Sequence, residues 1–307
     1  MRTIRVASRR SQLAMTQTNW VIAELQARRP DWTFEIVPIT TKGDQILDVT
    51  LSKVGGKGLF VSEIEDVLTA EHADLAVHSL KDVPYELAQG LVLAGIPLRA
   101  DPRDALISHD GRSLSQLPAG SIVGTSSLRR AAQLQALRPD LRIEPLRGNI
   151  DSRLRRVAEG EFAAIILAAA GLSRMGWQDK ITEYLDPEDF IPAVGQGILG
   201  VECRAKDDEL VQELGKWTDQ NTADCAAAER TLLTELQGSC QVPIAGYARR
   251  NGAGDLTLTG FVANPQGPGS LRFEATGMED PSALGSIVAQ TLLQRGAGDY
   301  LRAASEG

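Results

Sequence analysis

The chain has 307 residues, 43% hydrophobic and 23% charged, a balance that suits a globular protein with two or three cored domains and excludes disordered, collagen-like and disulfide-scaffold chains. The net charge of −8, from 32 basic and 40 acidic residues, argues against nucleic acid or an anionic membrane as the main partner. Arginine outnumbers lysine 25 to 7, and nine arginines with no lysine fall between Arg129 and Arg174. Such a segment is either a solvated helix face or a grip for a small anionic ligand, because the guanidinium fork binds carboxylates and phosphates bidentately.

The N-terminal stretch Met1 to Ser11 holds four arginines around a short strand, Ile4 to Ala7, and reads as neither a signal peptide nor a membrane helix. Further strands are expected at Phe34–Ile39, Leu75–Val77, Leu91–Ala94, Ile122–Gly124 and Ala164–Ala168. Ala14, Val21 and Leu25 mark a helix closed by Pro30, and Phe60, Ile64, Val67 and Leu68 mark another; the alternation predicts an α/β chain with parallel strands. Past residue 220 the texture changes. A helix at Ala223–Leu236, alternating runs at Ile244–Ala248, Leu256–Val262 and Leu271–Ala275, and a helix from Pro281 to Leu293 predict a small α+β domain with an antiparallel sheet.

Two strand-to-helix turns echo one another, Val6-Ala7-Ser8-Arg9-Arg10-Ser11 and Val123-Gly124-Thr125-Ser126-Ser127-Leu128-Arg129-Arg130. Each is an anion cradle, with unpaired helix N–H groups supplemented by hydroxyls and arginine, or simply a serine-capped helix. Lys53-Val54-Gly55-Gly56-Lys57-Gly58 lacks the spacing of a phosphate loop and reads as a mobile loop of the kind that forms a lid, with a rigid turn as the alternative. Ser79-Leu80-Lys81-Asp82-Val83-Pro84 follows a strand, where α/β proteins bind ligands, and makes Asp82 either an acid–base group or a turn residue. Gly195-Gln196-Gly197-Ile198-Leu199-Gly200 meets the G-x-G-x-x-G pattern but runs into a β-like segment, so a nicotinamide site is not expected. His72, His78 and His109 are too scattered for a metal set or a Ser-His-Asp arrangement. The three cysteines form no C-x-x-C pair, which fits a reducing cytoplasm, and Cys240, between Gly238 and Pro243, reads locally as an inert buried thiol.

Five blocks in order, Val54 to Phe60, Ala76 to Pro84, Val123 to Arg130, Leu146-Arg147-Gly148-Asn149 and Gly238 to Pro243, resemble the porphobilinogen deaminase (hydroxymethylbilane synthase) family, and the match runs from Arg5 to about Leu293. The resemblance implies an α/β fold of two lobes like type II periplasmic binding proteins joined by a double hinge, plus a small α+β C-terminal domain. The boundaries transfer as 1–97 with 198–217, then 98–197, then 218–307. It implies head-to-tail condensation of four porphobilinogen molecules with loss of ammonia, on a dipyrromethane cofactor held by a thioether to Cys240. No metal, nucleic acid or membrane is implied, and the expected form is a cytoplasmic monomer.

In the same transfer Asp82 is the catalytic aspartate, stabilising the cation that deamination leaves, with Lys81 and Arg9 beside it. Thr125, Ser126, Ser127, Arg129, Arg130, Arg147 and Gly148 join Lys81, Asp82 and Cys240 in holding the cofactor. Arg9, Ser11, Gln17, Arg147, Arg153 and Arg174 bind substrate carboxylates, and Lys53 and Phe60 belong to a flexible loop. The departures at Gln12 and Leu80 touch none of these positions. A non-catalytic carboxylate receptor is the main alternative; it predicts an export signal and gives Cys240 no role.

Overall fold

The computed structural model describes residues 2–45, 58, 60–237, 242–277 and 280–305. Lys53 and Cys240 lie outside them, as does most of the glycine-rich segment. The described residues fall into two compact units, one comprising 2–45, 58–100 and 198–223, the other 101–197 and 224–305.

The first unit is built on a five-stranded sheet, with β1 (Arg2–Arg9), β2 (Trp32–Ile39), β3 (Leu75–Ser79), β4 (Leu91–Gly95) and β10 (Leu199–Arg204) in the order β2-β1-β3-β10-β4. Pairing is parallel from β2 through β3, and β10 runs against both of its neighbours. Helix α1 (Gln12–Arg28) starts where Ser11 accepts a hydrogen bond from the Ala14 N–H and ends two residues before Pro30. Its Val21 and Leu25 pack with Ile4, Val6, Leu75, Val77 and Val201 in a core that Leu210, Leu214 and Trp217 complete. β3 and β10 are buried along nearly their whole length, and β10 buries Glu202 and Arg204 among its apolar residues.

The second unit repeats the plan. Strands β5 (Asp104–Ser108), β6 (Ile122–Gly124), β7 (Arg142–Glu144), β8 (Ala164–Ala168) and β9 (Glu183–Tyr184) form the order β7-β6-β8-β5-β9, with β5 opposed to its neighbours. The expected parallel pairing holds among β2, β1 and β3 and among β7, β6 and β8, and each sheet also carries one reversed strand, β10 or β5. Each of the two opens shortly after the chain passes from one unit into the other, at 197–198 and 100–101.

A three-stranded antiparallel sheet, β11 (Ile244–Arg250), β12 (Leu256–Ala263) and β13 (Ser270–Thr276), follows the helix Gln220–Glu235. The helix Pro281–Leu292 buries Leu284, Val288 and Leu292 on it, against Leu232, Leu258 and Val262. The G-x-G-x-x-G segment opens no helix. Gly195 and Gly197 have positive φ, and Gly200 lies inside β10, as its β-like texture predicts.

Candidate functional site

In the first unit, β1 and β3 bring Arg9 and Ser79 to their carboxyl ends, where Arg9, Ser11, Gln17, Phe60, His78, Ser79 and Asp82 line one pocket. Lys81 and Asp82 lie on the single 3-10 turn Leu80–Asp82 and are exposed. Gln17 is buried and its amide donates to Ser79 Oγ at 3.0 Å, tying α1 to the end of β3.

Arg9 is held on two sides. Its Nε lies 3.2 Å from each Asp44 oxygen and its Nη2 contacts Oδ1, while the Phe60 ring lies 4.1 Å from the guanidinium carbon, a cation–π contact. Phe60 packs so close to Gly43 that a Cβ there would sit 2.2 Å from the ring. Burial works to raise the Asp44 pKa, but the hydrogen bonds and charge of Arg9 outweigh it and hold the carboxyl below its usual value.

Under the pocket, His78 Nε2 meets Glu202 Oε2 at 2.9 Å, both side chains almost wholly buried. Glu202 Oε1 has no hydrogen-bond partner among the described residues. Burial, reinforced by the Glu202 charge, raises the pKa of the neighbouring Glu65, whose hydrogen bond from the Ala88 N–H only partly opposes this. His78 thus anchors a buried carboxylate and still borders the pocket, a placement its isolated position in the sequence does not reveal.

In the second unit, β6 runs into Thr125, Ser126 and Ser127, and the helix Leu128–Leu137 begins. Ser127 Oγ caps it by accepting from the Arg130 N–H, Thr125 Oγ1 accepts from the Ser127 N–H at 3.2 Å, and Ser126 Oγ donates to Leu146 O at 2.9 Å. Arg129 and Arg130 are 5% and 7% exposed, and both pair with fully buried Asp104, Arg129 Nη1 to Oδ2 and Arg130 Nη2 to Oδ1, each at 2.7 Å. Arg129 also donates to Ile191 O and Arg130 to Ile166 O. Burial lowers the Arg130 pKa against the attraction of Asp104.

Arg147 is half-buried and Gly148 exposed. Gly148 has φ +108°, and a Cβ there would lie 2.2 Å from Ser152 Oγ, so the turn before the Asn149-capped helix Ile150–Ala158 requires glycine. Arg153 Nε donates to Gly148 O and Arg174 Nη2 to Gly197 O, both at 2.8 Å, and burial lowers the Arg174 pKa to about 10.

Within the first unit the structure gathers Arg9, Ser11, Gln17, Phe60 and Asp82. Within the second it gathers Thr125, Ser126, Ser127, Arg129 and Arg130 at one helix start. Asp44 and Asp104, which partner the expected Arg9, Arg129 and Arg130, and Glu202, which partners His78, carry no motif that marks them in the sequence.

Comparison with known proteins gives a family description, "Porphobilinogen deaminase, dipyromethane cofactor binding domain", that matches residues 4–212, and "Porphobilinogen deaminase, C-terminal domain" matches 223–294. The chain is 55% identical to the porphobilinogen deaminase of Halalkalibacterium halodurans over 308 residues, covering 100% of this chain and 99% of that one. It is 54% identical to that of Bacillus subtilis, covering 98% and 96%. Among solved structures it is similar to a periplasmic binding protein of Salmonella typhimurium, at 12% identity and a TM-score of 0.42, over 73% of this chain and 94% of that one. Family descriptions spanning nearly the whole chain, full-length identity above one half and an Arg9–Asp82 pocket at the strand ends lead to one conclusion: the chain belongs to the porphobilinogen deaminase family, the hydroxymethylbilane synthases of tetrapyrrole biosynthesis.

Proposed function

We propose that this chain condenses four porphobilinogen molecules as a cytoplasmic monomer of three domains, 1–97 with 198–217, 98–197, and 218–307, using the residues named above. The observation that carries the reading is the first unit's pocket, which sets an arginine, a helix start and an exposed carboxylate around one cavity at the ends of β1 and β3. When bound, the dipyrromethane cofactor supplies the pyrrole carbon on which the chain grows.

The second unit suits such a group. Two guanidiniums share the one carboxylate of Asp104, so these three groups carry net positive charge beside a helix N-terminus lined with hydroxyls, the chemistry that receives acetate and propionate side chains. Arg129, Arg130, Arg147 and Gly148 with Thr125, Ser126 and Ser127 hold those carboxylates, and Cys240 carries the thioether. Arg153 and Arg174 take substrate carboxylates, and Lys53 and Phe60 belong to the loop that covers the substrate.

In the first unit, Arg9, Ser11 and Gln17 position the incoming porphobilinogen, with Lys81 beside them. Asp82 presents its carboxylate to the pyrrole nitrogen, where positive charge develops as ammonia leaves. His78 and Glu202 keep the floor of the pocket fixed.

Intact mass spectrometry tests the assignment. The purified protein carries an excess of two pyrrole units, and Cys240→Ser abolishes it together with turnover. An active protein of unmodified mass overturns the reading.

A further inference from the structure

Asp44 occupies the Nε–Nη2 edge of Arg9, one of the two edges by which a guanidinium grips a carboxylate. Its two oxygens face Nε and Nη2, the side-on fork by which a guanidinium grips a free carboxylate. Asp44 is itself clamped from behind: Thr41, fully buried, donates from Oγ1 at 2.8 Å and from its N–H at 3.3 Å to Oδ2. Phe60 lies across the face of the guanidinium. The two side chains are 22% and 24% exposed, so an incoming anion reaches the pair without unfolding anything.

The geometry points to Asp44 as an internal stand-in for the substrate carboxylate, a residue that occupies Arg9 until porphobilinogen displaces it and thereby sets the affinity for the substrate. The inference rests on the reading of Arg9 as a substrate-binding residue. A residue that merely oriented Arg9 from the same edge would leave the Nη1–Nη2 end for the ligand, and the sign of the change in KM separates that role from displacement. Displacement leaves the Asp44 carboxylate in the pocket, held by Thr41, beside the incoming one, so its charge opposes substrate binding.

Steady-state kinetics of the holoenzyme with porphobilinogen read this directly. Asp44→Asn keeps the shape but removes the competing charge, and KM falls about three- to tenfold with kcat held, the signature of a change in ground-state binding. An orienting role gives the opposite sign, and a KM that rises or stands still overturns the inference. Thr41→Val provides a second variant that leaves the carboxylate in place and removes the hydroxyl holding it; KM falls again, by less, and no fall overturns the proposal even where Asp44→Asn does not fold. In an Arg9→Lys background, Asp44→Asn loses most of its effect on KM. Turnover with a wrong-signed KM refutes this inference alone, whereas absence of turnover in the unsubstituted holoenzyme refutes the functional reading and the inference with it.

Discussion

The turn after β1 and the turn after β6 are built from the same materials, a short strand, hydroxyl residues and arginine at a serine-capped helix start, yet they treat their arginines differently. Arg9 is partly exposed and held by one accessible carboxylate, whereas Arg129 and Arg130 are buried and share one wholly buried Asp104. The first arrangement allows exchange of partners. The second is a permanent positive centre that no ligand has to assemble. The strands beside them diverge in the same sense: β3 ends on Ser79 and runs into Lys81 and Asp82, while β8 continues into Ala169-Ala170-Gly171. Accessible ionisable groups collect at the first turn, and buried paired charge collects at the second.

The largest break in this contrast comes from Asp82. Asp82→Asn leaves the dipyrromethane mass in place and lowers kcat about 100-fold or more, the usual scale for removing a charged group that acts on the reacting atoms. Near-normal turnover would remove the chemical half of the comparison, and loss of the cofactor mass would move Asp82 from chemistry to attachment.

Asp104→Ala acts on stability instead. It leaves two buried guanidiniums without their carboxylate, at a cost of about 3–5 kcal/mol in urea unfolding, whereas Asp44→Ala, at the accessible pair, costs about 1 kcal/mol or less. Equal losses at the two positions would show that the two arginine sites do not differ in kind.

The α/β pattern and the change of texture near residue 220 were legible because apolar periodicity is a local signal. Strand positions at Ile122–Gly124 and Ala164–Ala168 match the structure residue for residue. β5 and β7 escaped notice: Asp104–Ser108 opens on an acidic residue that reads as surface, and Arg142–Glu144 has a single apolar side chain. The reversed direction of β5 and β10 escaped as well, because pairing across long separations leaves no mark on the strand itself. The same holds for charge. Glu202 reaches His78 across 124 positions and Asp104 reaches Arg130 across 26, so the arginines and Asp82 are visible through composition and motif, while the carboxylates of Asp44, Asp104 and Glu202 are not.

The finest comparison lies in the two caps. Ser11 accepts from the Ala14 N–H and Ser127 from the Arg130 N–H, each at 3.4 Å, so Ser11→Ala and Ser127→Ala each cost about 1 kcal/mol or less on capping grounds. Their functional readouts separate. With Ser11 replaced, KM for porphobilinogen rises while the cofactor mass persists, because that helix start faces a ligand that comes and goes. With Ser127 replaced, the loss shows first as a smaller fraction of protein carrying the cofactor, because that start serves a group bound once. Matching stability losses with no division of KM from cofactor retention would reduce both serines to caps and leave the arginines alone to distinguish the two turns.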